Sequence, residues 1–264
     1  MNRPAHLYDA YIFDLDGTVY LGDALLPGAE ETIRRLRALG RQPVFLSNNP
    51  TNTRAAYAEK LTRLGLETPA GAIVNSSSVM VDFLQRQLPG ATLFVVGEEP
   101  LRRELVDGGF TLGERAEAID AVIASFDRTF DYRKLQIAFD AIRAGARFFA
   151  TNADRYCPVP GGGQPDAAAM IAAIEASTNT EVEAVVGKPS LYMAEAILEL
   201  VGVPAGRCLM TGDRWETDVL LGEKAGMDTA LALTGATTRA DLKTMTVTPT
   251  YIIDSLRDLL PPLP

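Results

Sequence analysis

The sequence predicts an α/β protein: a doubly wound, Rossmann-like parallel sheet forms the core, and a second α/β domain is inserted into it. Two observations support this prediction. Short apolar runs rich in β-branched and aromatic residues alternate with longer segments of helical periodicity, which is typical of βαβ units. Several of the apolar runs also end in polar residues, as strands do where an open parallel sheet binds its ligand.

The composition indicates an ordered protein with a substantial core. The chain has 264 residues, 47% of them hydrophobic, and this length allows one large or two moderate domains. The net charge of −9 argues against nucleic acid or an anionic membrane as a partner. No apolar run reaches the length of a membrane span, and residues 1–6 show no signal-peptide pattern, so we expect a cytoplasmic location.

The rare residue types argue against two further kinds of site. The spacing of the two cysteines, Cys157 and Cys208, fits neither a metal site nor a redox pair, and we expect reduced thiols. His6 is the only histidine, which argues against histidine-based catalytic triads and zinc sites.

Residues 8–88 contain three apolar runs, each followed by an amphipathic segment. The first segment starts after Pro27 and ends at Gly40, and Gly65 closes the second in the same way, because glycine commonly ends a helix. A run of three serines from Ser76 is predicted to cap the third. The predicted strands are 10–14, 43–47 and 72–75, and the predicted helices are about 29–39, 53–64 and 76–88.

A second alternating set follows, and we interpret it as an inserted α/β domain. It contains predicted strands at 93–97, 121–124 and 147–150, predicted helices at 101–106, 132–144 and 166–176, and a loop rich in glycine and proline at 158–165. The chain then returns to the first sheet with strands at 207–212, 229–233 and 251–253 and helices at 190–201 and 217–225. The predicted domains are a core of residues 1–80 and 188–264 and an insertion of residues 81–187.

Polar side chains follow the apolar strands at the positions where α/β sheets bind ligands. In chain order these side chains are Asp14 and Asp16, then Ser47 and Asn48, and finally Asp213. A turn would explain Asp16 but not Asp14, because a bare charge at the end of a hydrophobic strand is costly. Two carboxylates this close repel each other, and a divalent cation between them is the usual solution.

These residues suit phosphoryl transfer. Asp14 can attack phosphorus and form an aspartyl-phosphate. Asp16, which Thr18 could position, can protonate the leaving oxygen and then deprotonate the hydrolytic water. Oxygen ligands for Mg²⁺ would come from Asp14, the backbone carbonyl of Asp16 and Asp213. The phosphoryl oxygens would be held by Ser47, the backbone amides near it and Lys188.

Four motifs of this sequence resemble, in order, those of the haloacid dehalogenase-like hydrolases. They are Asp14-Leu15-Asp16-Gly17-Thr18, Ser47-Asn48-Asn49, Lys188-Pro189, and Gly212-Asp213-Arg214 followed by Thr217-Asp218. A domain inserted between the second motif and the lysine is similar to the cap of the branch containing 4-nitrophenylphosphatase, phosphoglycolate phosphatase and pyridoxal phosphatase. The strings Thr151-Asn152-Ala153-Asp154 and Leu233-Thr234-Gly235-Ala236-Thr237 are typical of that branch.

The resemblance implies a Mg²⁺-dependent phosphatase for small phosphate monoesters such as sugar phosphates, phosphoglycolate, nucleoside monophosphates or 4-nitrophenyl phosphate. In that family the first aspartate is the nucleophile, the second is the acid and base, and the later aspartates serve magnesium. The resemblance assigns these roles to Asp14, Asp16 and Asp213 here. It implies that Asp218 supports the residues that bind the metal directly. The cap would select a small phosphorylated metabolite, and several relatives are homodimers. The predicted phosphate- or substrate-binding residues are Gly17, Thr18, Ser47, Asn48, Asn49, Asn152, Asp154 and Lys188.

Other interpretations stay open at this point. A dehalogenase needs no acid two residues after its nucleophile, so Asp16 argues against it. A phosphomutase on the same fold, or a metabolite-binding protein without catalysis, are the remaining alternatives. Asn152 and Asp154 could form only a turn, and Asp218 could be an ordinary residue at a helix terminus.

Overall fold

The computed structural model describes residues 3–159 and 162–261, which divide into two compact units. Unit 1 consists of Met1–Ser47, Arg54–Val74 and Lys188–Pro264, and unit 2 consists of Asn48–Thr53 and Asn75–Gly187. Each unit is built on its own parallel sheet flanked by helices, so the predicted α/β class is confirmed.

The strands in the described ranges are short and mostly buried. In chain order they are β1 (Ala10–Asp14), β2 (Tyr20–Leu21), β3 (Ala24–Leu25), β4 (Gln42–Ser47), β5 (Ile73–Asn75), β6 (Thr92–Val96), β7 (Thr111–Leu112), β8 (Ala121–Ala124), β9 (Arg147–Ala150), β10 (Tyr156–Val159), β11 (Gly162–Pro165), β12 (Ala184–Val185), β13 (Cys208–Gly212), β14 (Asp228–Ala232) and β15 (Tyr251–Ile253).

The helices lie mainly between these strands, as the alternating pattern predicts. They are α1 (Ala29–Ala38), α2 (Arg54–Arg63), α3 (Ser76–Gln87), α4 (Glu99–Asp107), α5 (Tyr132–Arg143), α6 (Ala167–Thr178), α7 (Leu191–Val201) and α8 (Leu220–Ala225). Among the residues described, none of the helices is long and apolar enough to cross a membrane.

The six-stranded sheet of unit 1 has the order β15-β14-β13-β1-β4-β5, with β1 at its centre. All five residues of β1 are buried, which explains why the four before Asp14 are all apolar, because a strand covered on both faces has no solvent side. The parallel register pairs Asp14 with Leu46 on β4 and Phe13 with Thr211 on β13. The carboxyl ends of these three strands are therefore level, and the polar residues that follow them meet at one edge.

The sheet of unit 2 has the order β12-β9-β8-β6-β7, and its strands are parallel. Its core is built from apolar side chains of β6, β8 and β9 packed against α5 and α6, with Phe94, Val122 and Phe148 among them. Loops at the carboxyl end of β9 carry Asn152 and Asp154, so this unit also presents polar groups where its strands end.

The prediction of a loop at 158–165 is wrong. β10 and β11 instead form an antiparallel hairpin, with Pro160 and Gly161 of the expected loop lying outside the described residues. The segment has few of the apolar and β-branched residues that predict a strand. Gly163 fits this hairpin because a Cβ there would lie only 2.7 Å from the ring of Tyr156.

Two helix starts also differ from the sequence prediction. Asn75, rather than the serine run, caps α3: its side chain accepts from the Ser78 amide at 2.9 Å, and the Ser78 hydroxyl accepts from the Asn75 amide. The helix expected at 217–225 begins instead with a π-helical turn over Trp215–Val219 that leads into α8. Wider turns of this kind often occur at functional sites, and this one carries Asp218.

Candidate active site

Asp14 ends β1 and is almost completely buried. Its two carboxylate oxygens have different partners: Oδ1 accepts from the Lys188 ammonium at 2.5 Å, and Oδ2 accepts from the Thr18 hydroxyl at 3.3 Å. Burial raises the pKa of Asp14 well above its ordinary value, and the positive charge of Lys188 opposes that rise.

Lys188 joins two carboxylates in the interior of unit 1. Its ammonium also donates to Asp218 Oδ1 at 2.6 Å, and the side chain is only 4% exposed. Burial alone would lower the pKa of Lys188, but the charges of Asp14 and Asp218 outweigh it and raise the pKa above its ordinary value. Lys188 therefore stays charged, since losing its proton would leave two buried carboxylates without their cation.

Asp213 and Asp218 complete an aspartate–lysine cluster with Asp14 and Lys188. One carboxylate oxygen from each aspartate lies within 4.8 Å of the others. Burial, followed by the charge of Asp218, raises the pKa of Asp213 to about 6, against a hydrogen bond from the Ala236 amide. Three buried carboxylates share the one buried ammonium found in the described ranges, so the cluster is suited to a divalent cation.

Glycines let the backbone approach the aspartate carboxylates. A Cβ on Gly17 would lie 2.5 Å from Asp213 Oδ2, and one on Gly212 would lie 2.2 Å from Asp218 Cγ. Gly17 also has a φ of 90°, which favours glycine. Gly17 therefore has two roles, since it makes the turn after Asp16 and leaves space for a carboxylate.

Asp16 is placed beside the cluster but has different surroundings. Its side chain is exposed, and Oδ2 accepts from the Tyr20 hydroxyl at 3.3 Å. The surrounding protein still desolvates the carboxylate enough to raise the pKa of Asp16, while the charge of Lys60 lowers it. The idea that Thr18 positions Asp16 is wrong, because the Thr18 hydroxyl turns to Asp14. Sequence reasoning missed Tyr20 and Lys60.

Ser47 ends β4, one residue beyond the strand partner of Asp14. It is buried, and its hydroxyl donates to the hydroxyl of Tyr57 on α2 at 3.1 Å. The helical periodicity marks Tyr57 as an inward-facing residue, but only the fold reveals its polar contact.

The remaining predicted residues come together in unit 2. Asn48 and Asn152 both donate their side-chain amides to Asp154 Oδ2, at 3.0 and 3.1 Å. Asn152 also donates to Asp166 Oδ1 at 3.0 Å, and Asp166 caps α6. Asn152 is completely buried, whereas Asp154 is half-buried. We call Asn48, Asn152, Asp154 and Asp166 the amide cluster; sequence reasoning missed Asp166 as its member.

Asn49 lies next to the amide cluster in the chain but has other partners. Its side-chain carbonyl accepts from the Thr51 amide at 2.9 Å, and its amide donates to Cys157 Sγ at 3.8 Å. The structure thus gathers Asp14, Gly17, Thr18, Lys188, Asp213 and Asp218 in unit 1. It gathers Asn48, Asn49, Asn152 and Asp154 in unit 2.

Comparison with known families gives two matches. Residues 11–111 match a family model described as haloacid dehalogenase-like hydrolase, and residues 185–259 match one described as HAD-hydrolase-like. Together they include all residues of the aspartate–lysine cluster.

Relatives of similar length carry phosphatase names. The chain is 40% identical to the sugar-phosphatase AraL of Bacillus subtilis, covering 94% of this chain and 90% of that protein. It is 33% identical to the 5′-nucleotidase YutF of the same species, covering 96% and 98%.

Solved structures give the same result. The p-nitrophenyl phosphatase from Archaeoglobus fulgidus has a TM-score of 0.90 at 32% identity, covering 96% of this chain and 98% of that one. The 4-nitrophenylphosphatase from Thermotoga maritima has a TM-score of 0.91 at 35% identity, covering 95% of each chain.

Proposed function

The chain belongs to the haloacid dehalogenase-like hydrolases and hydrolyses small phosphate monoesters, and on this premise we propose that Asp14 is its nucleophile and Asp16 its acid and base. The supporting observation is the environment of Asp14. Its carboxylate is buried at the end of β1 between a lysine ammonium and a threonine hydroxyl. Such fixed partners orient one oxygen for attack and balance its charge.

The reaction has two halves with balanced bonds and protons. In the first half, an Asp14 oxygen forms a bond to phosphorus while the ester bond to the leaving oxygen breaks, and that oxygen takes the proton of Asp16. In the second half, Asp16 removes a proton from water, the water oxygen bonds to phosphorus, and the bond to Asp14 breaks. The products are the free alcohol and inorganic phosphate.

The donor set fits Mg²⁺, because it consists of hard carboxylate oxygens gathered within 4.8 Å. Asp14, the backbone carbonyl of Asp16 and Asp213 would hold the ion. Asp218 would act behind them, since its oxygens accept from Lys188 and from the Arg214 amide. When bound, Mg²⁺ neutralises charge on the phosphoryl oxygens.

Phosphate binding and substrate selection fall to different residues in this proposal. Ser47, Lys188 and the backbone amides near Ser47 would hold the phosphoryl oxygens, and Gly17 and Thr18 would lie beside them. Residues 81–187 would act as the cap on a catalytic core of residues 1–80 and 188–264. Asn48, Asn49 and Asp154 would contact the substrate, and the buried Asn152 would hold Asp154 in place.

We infer that the substrate is a sugar phosphate. The amide cluster offers carboxylate and amide groups that suit hydroxyl recognition, and the AraL relative is named a sugar-phosphatase. A nucleoside monophosphate is the next candidate, because the YutF relative is named a 5′-nucleotidase. A homodimer and a cytoplasmic location also belong to this proposal, the latter supported by a sequence with only two cysteines, whose spacing fits no redox pair.

The test is release of phosphate from 4-nitrophenyl phosphate and from a panel of sugar phosphates and nucleoside monophosphates. We expect activity with Mg²⁺ and none with excess chelator. Asp14→Asn should abolish turnover because the amide is a poor nucleophile, with circular dichroism confirming the fold. The matched control is Asp107→Asn, at an exposed aspartate ending α4, which should keep wild-type activity. Wild-type activity in Asp14→Asn would refute the mechanism.

A further inference from the structure

Tyr20 is placed close to Asp16 by the backbone of the turn between them. The Tyr20 amide donates to the Leu15 carbonyl at 3.2 Å, and the Gly17 amide donates to the Tyr20 carbonyl at 2.8 Å. A bridge of the parallel-sheet type also joins Asp16 and Tyr20. The relative position of the two side chains is therefore set by the fold of the turn and not by a flexible loop.

The Tyr20 side chain combines a buried ring with two contacts to charged groups. The ring is completely buried in the core of unit 1, and its hydroxyl donates to Asp16 Oδ2 at 3.3 Å. The ammonium of Lys60, on α2, lies 3.6 Å from the centre of the ring. A cation at this distance from an aromatic face is attracted to the ring electrons and restrains the ring.

We propose that Tyr20 and Lys60 are a positioning pair for Asp16, an assignment that rests on the proposed function of Asp16 as acid and base. Tyr20 holds Oδ2, which leaves Oδ1 to exchange the proton with the leaving oxygen and with water. Lys60 holds the Tyr20 ring from its face. Neither residue touches the substrate, so both act through Asp16.

Asp16 is exposed and therefore needs a restraint. Within the part of the chain that the structure describes, the Tyr20 hydroxyl is the only hydrogen-bond donor to the Asp16 carboxylate. An exposed carboxylate with no partner samples several rotamers, which is unsuitable for a group that must meet the leaving oxygen. The contact of 3.3 Å is long for two oxygens, and such catalytic contacts often tighten when substrate binds.

A matched pair of substrates separates positioning from packing. 4-Nitrophenyl phosphate has a leaving group that departs without a proton, whereas phenyl phosphate, of nearly the same shape, has a more basic one that needs it. The value of kcat/KM reports the steps up to cleavage of the ester bond. A defect in the acid therefore lowers kcat/KM for phenyl phosphate more than for 4-nitrophenyl phosphate.

For Tyr20→Phe we expect kcat/KM to fall about tenfold with phenyl phosphate and about twofold with 4-nitrophenyl phosphate, a fraction of the general-acid contribution. The matched control is Tyr8→Phe. Tyr8 is buried in the same core and donates its hydroxyl to Asp228 at 2.6 Å, but it precedes β1 instead of following it. Tyr8→Phe should lower thermal stability without separating the two substrates.

Lys60 is tested by a pair of variants that separate charge from bulk. Lys60→Met keeps the aliphatic stem and removes the charge. We expect its kcat/KM to fall about threefold more with phenyl phosphate than with 4-nitrophenyl phosphate, in the same direction as for Tyr20→Phe. Lys60→Arg keeps a cation for the ring face and should stay within about twofold of wild type. Equal effects of Met and Arg would overturn the role given to Lys60.

Two further variants distinguish failure of this inference from failure of the proposed function. For Asp16→Asn, the loss of kcat/KM with phenyl phosphate should exceed the loss with 4-nitrophenyl phosphate at least as strongly as for Tyr20→Phe. If Asp16→Asn separates them and Tyr20→Phe does not, the positioning pair is refuted while the mechanism stands. If neither separates them, the acid role of Asp16 and the pair are both refuted. Activity in Asp14→Asn would refute the nucleophile independently.

Discussion

The two units gather their polar residues in different ways. The aspartate–lysine cluster of unit 1 buries three carboxylates and balances part of their charge with Lys188. The amide cluster of unit 2 surrounds Asp154 with neutral amides and leaves it half-buried. Charge that stays fixed in a buried site suits bond breaking, whereas a half-buried carboxylate held by amides suits recognition of a polar ligand.

The difference in burial between the two clusters also predicts how each responds to substitution. Removing a cation from buried carboxylates leaves charge without solvent or partner, which costs about 3–5 kcal/mol. Removing only the charge of the half-buried Asp154, as in Asp154→Asn, keeps a side-chain oxygen that can accept from Asn48 and Asn152, and this costs much less. Variants in unit 1 should therefore lower activity with every substrate, and variants in unit 2 should change the preference among substrates.

The largest effect is expected for Lys188→Met. It should lower kcat about 1,000-fold with all substrates, because it removes a charged donor from the reaction site. It should also lower the free energy of unfolding by about 3–5 kcal/mol, measured with urea. Lys224→Met, at an exposed lysine of α8, is the control and should change neither quantity. Retention of activity with only one class of substrate would contradict the division between the units.

A second prediction disturbs the cluster without removing any charge. Gly212→Ala places a Cβ where the Asp218 carboxylate now lies, 2.2 Å from its Cγ, so Asp218 must move away from Lys188. We expect kcat to fall about 100-fold with every substrate, similar to the loss of one oriented donor. Gly206→Ala has open space around the new atom and should behave as wild type in the same assay.

The sequence predicts much of unit 1 because its signals are local. The buried β1 is an apolar run up to Asp14, and the residues after β1 and β13 are placed by strand register. The sequence does not predict the roles of Tyr20 and Lys60. The contact of Tyr20 with Asp16 depends on the turn, and the contact of Lys60 with the Tyr20 ring depends on the packing of α2. The sequence also does not predict Asp166 as a member of the amide cluster, because its position there depends on the hairpin before α6.

The third prediction concerns selectivity in unit 2. Asp154→Asn removes the charge that Asn48 and Asn152 hold. We expect kcat/KM for the preferred sugar phosphate to fall about tenfold, as for the loss of one hydrogen bond to a charged group, while 4-nitrophenyl phosphate changes about twofold or less. Asp107→Asn is again the control. An equal loss with both substrates would place Asp154 among the reaction groups instead.

The smallest effect compares the two cysteines. Cys208 is buried in the sheet of unit 1, and burial raises its pKa to about 11, whereas Cys157 lies half-buried in the hairpin of unit 2. Between the ordinary thiol pKa near 8.5 and about 11, the folded state keeps the Cys208 proton that the unfolded state loses.

The sign of the resulting pH dependence follows from that proton. Because the folded state binds more protons in this window, the free energy of unfolding falls as pH rises, and the contribution is complete only below the window. Cys208→Ala should therefore make stability, measured by urea unfolding from pH 8 to 11, less dependent on pH than in wild type. Cys157→Ala is the matched control for the loss of a thiol, because Cys157 lies half-buried in the hairpin of unit 2. If the free energy of unfolding depended on pH equally in the two variants, the sheet of unit 1 would not hold Cys208 protonated. The difference in burial between the two units would then affect only the aspartate–lysine cluster and the amide cluster.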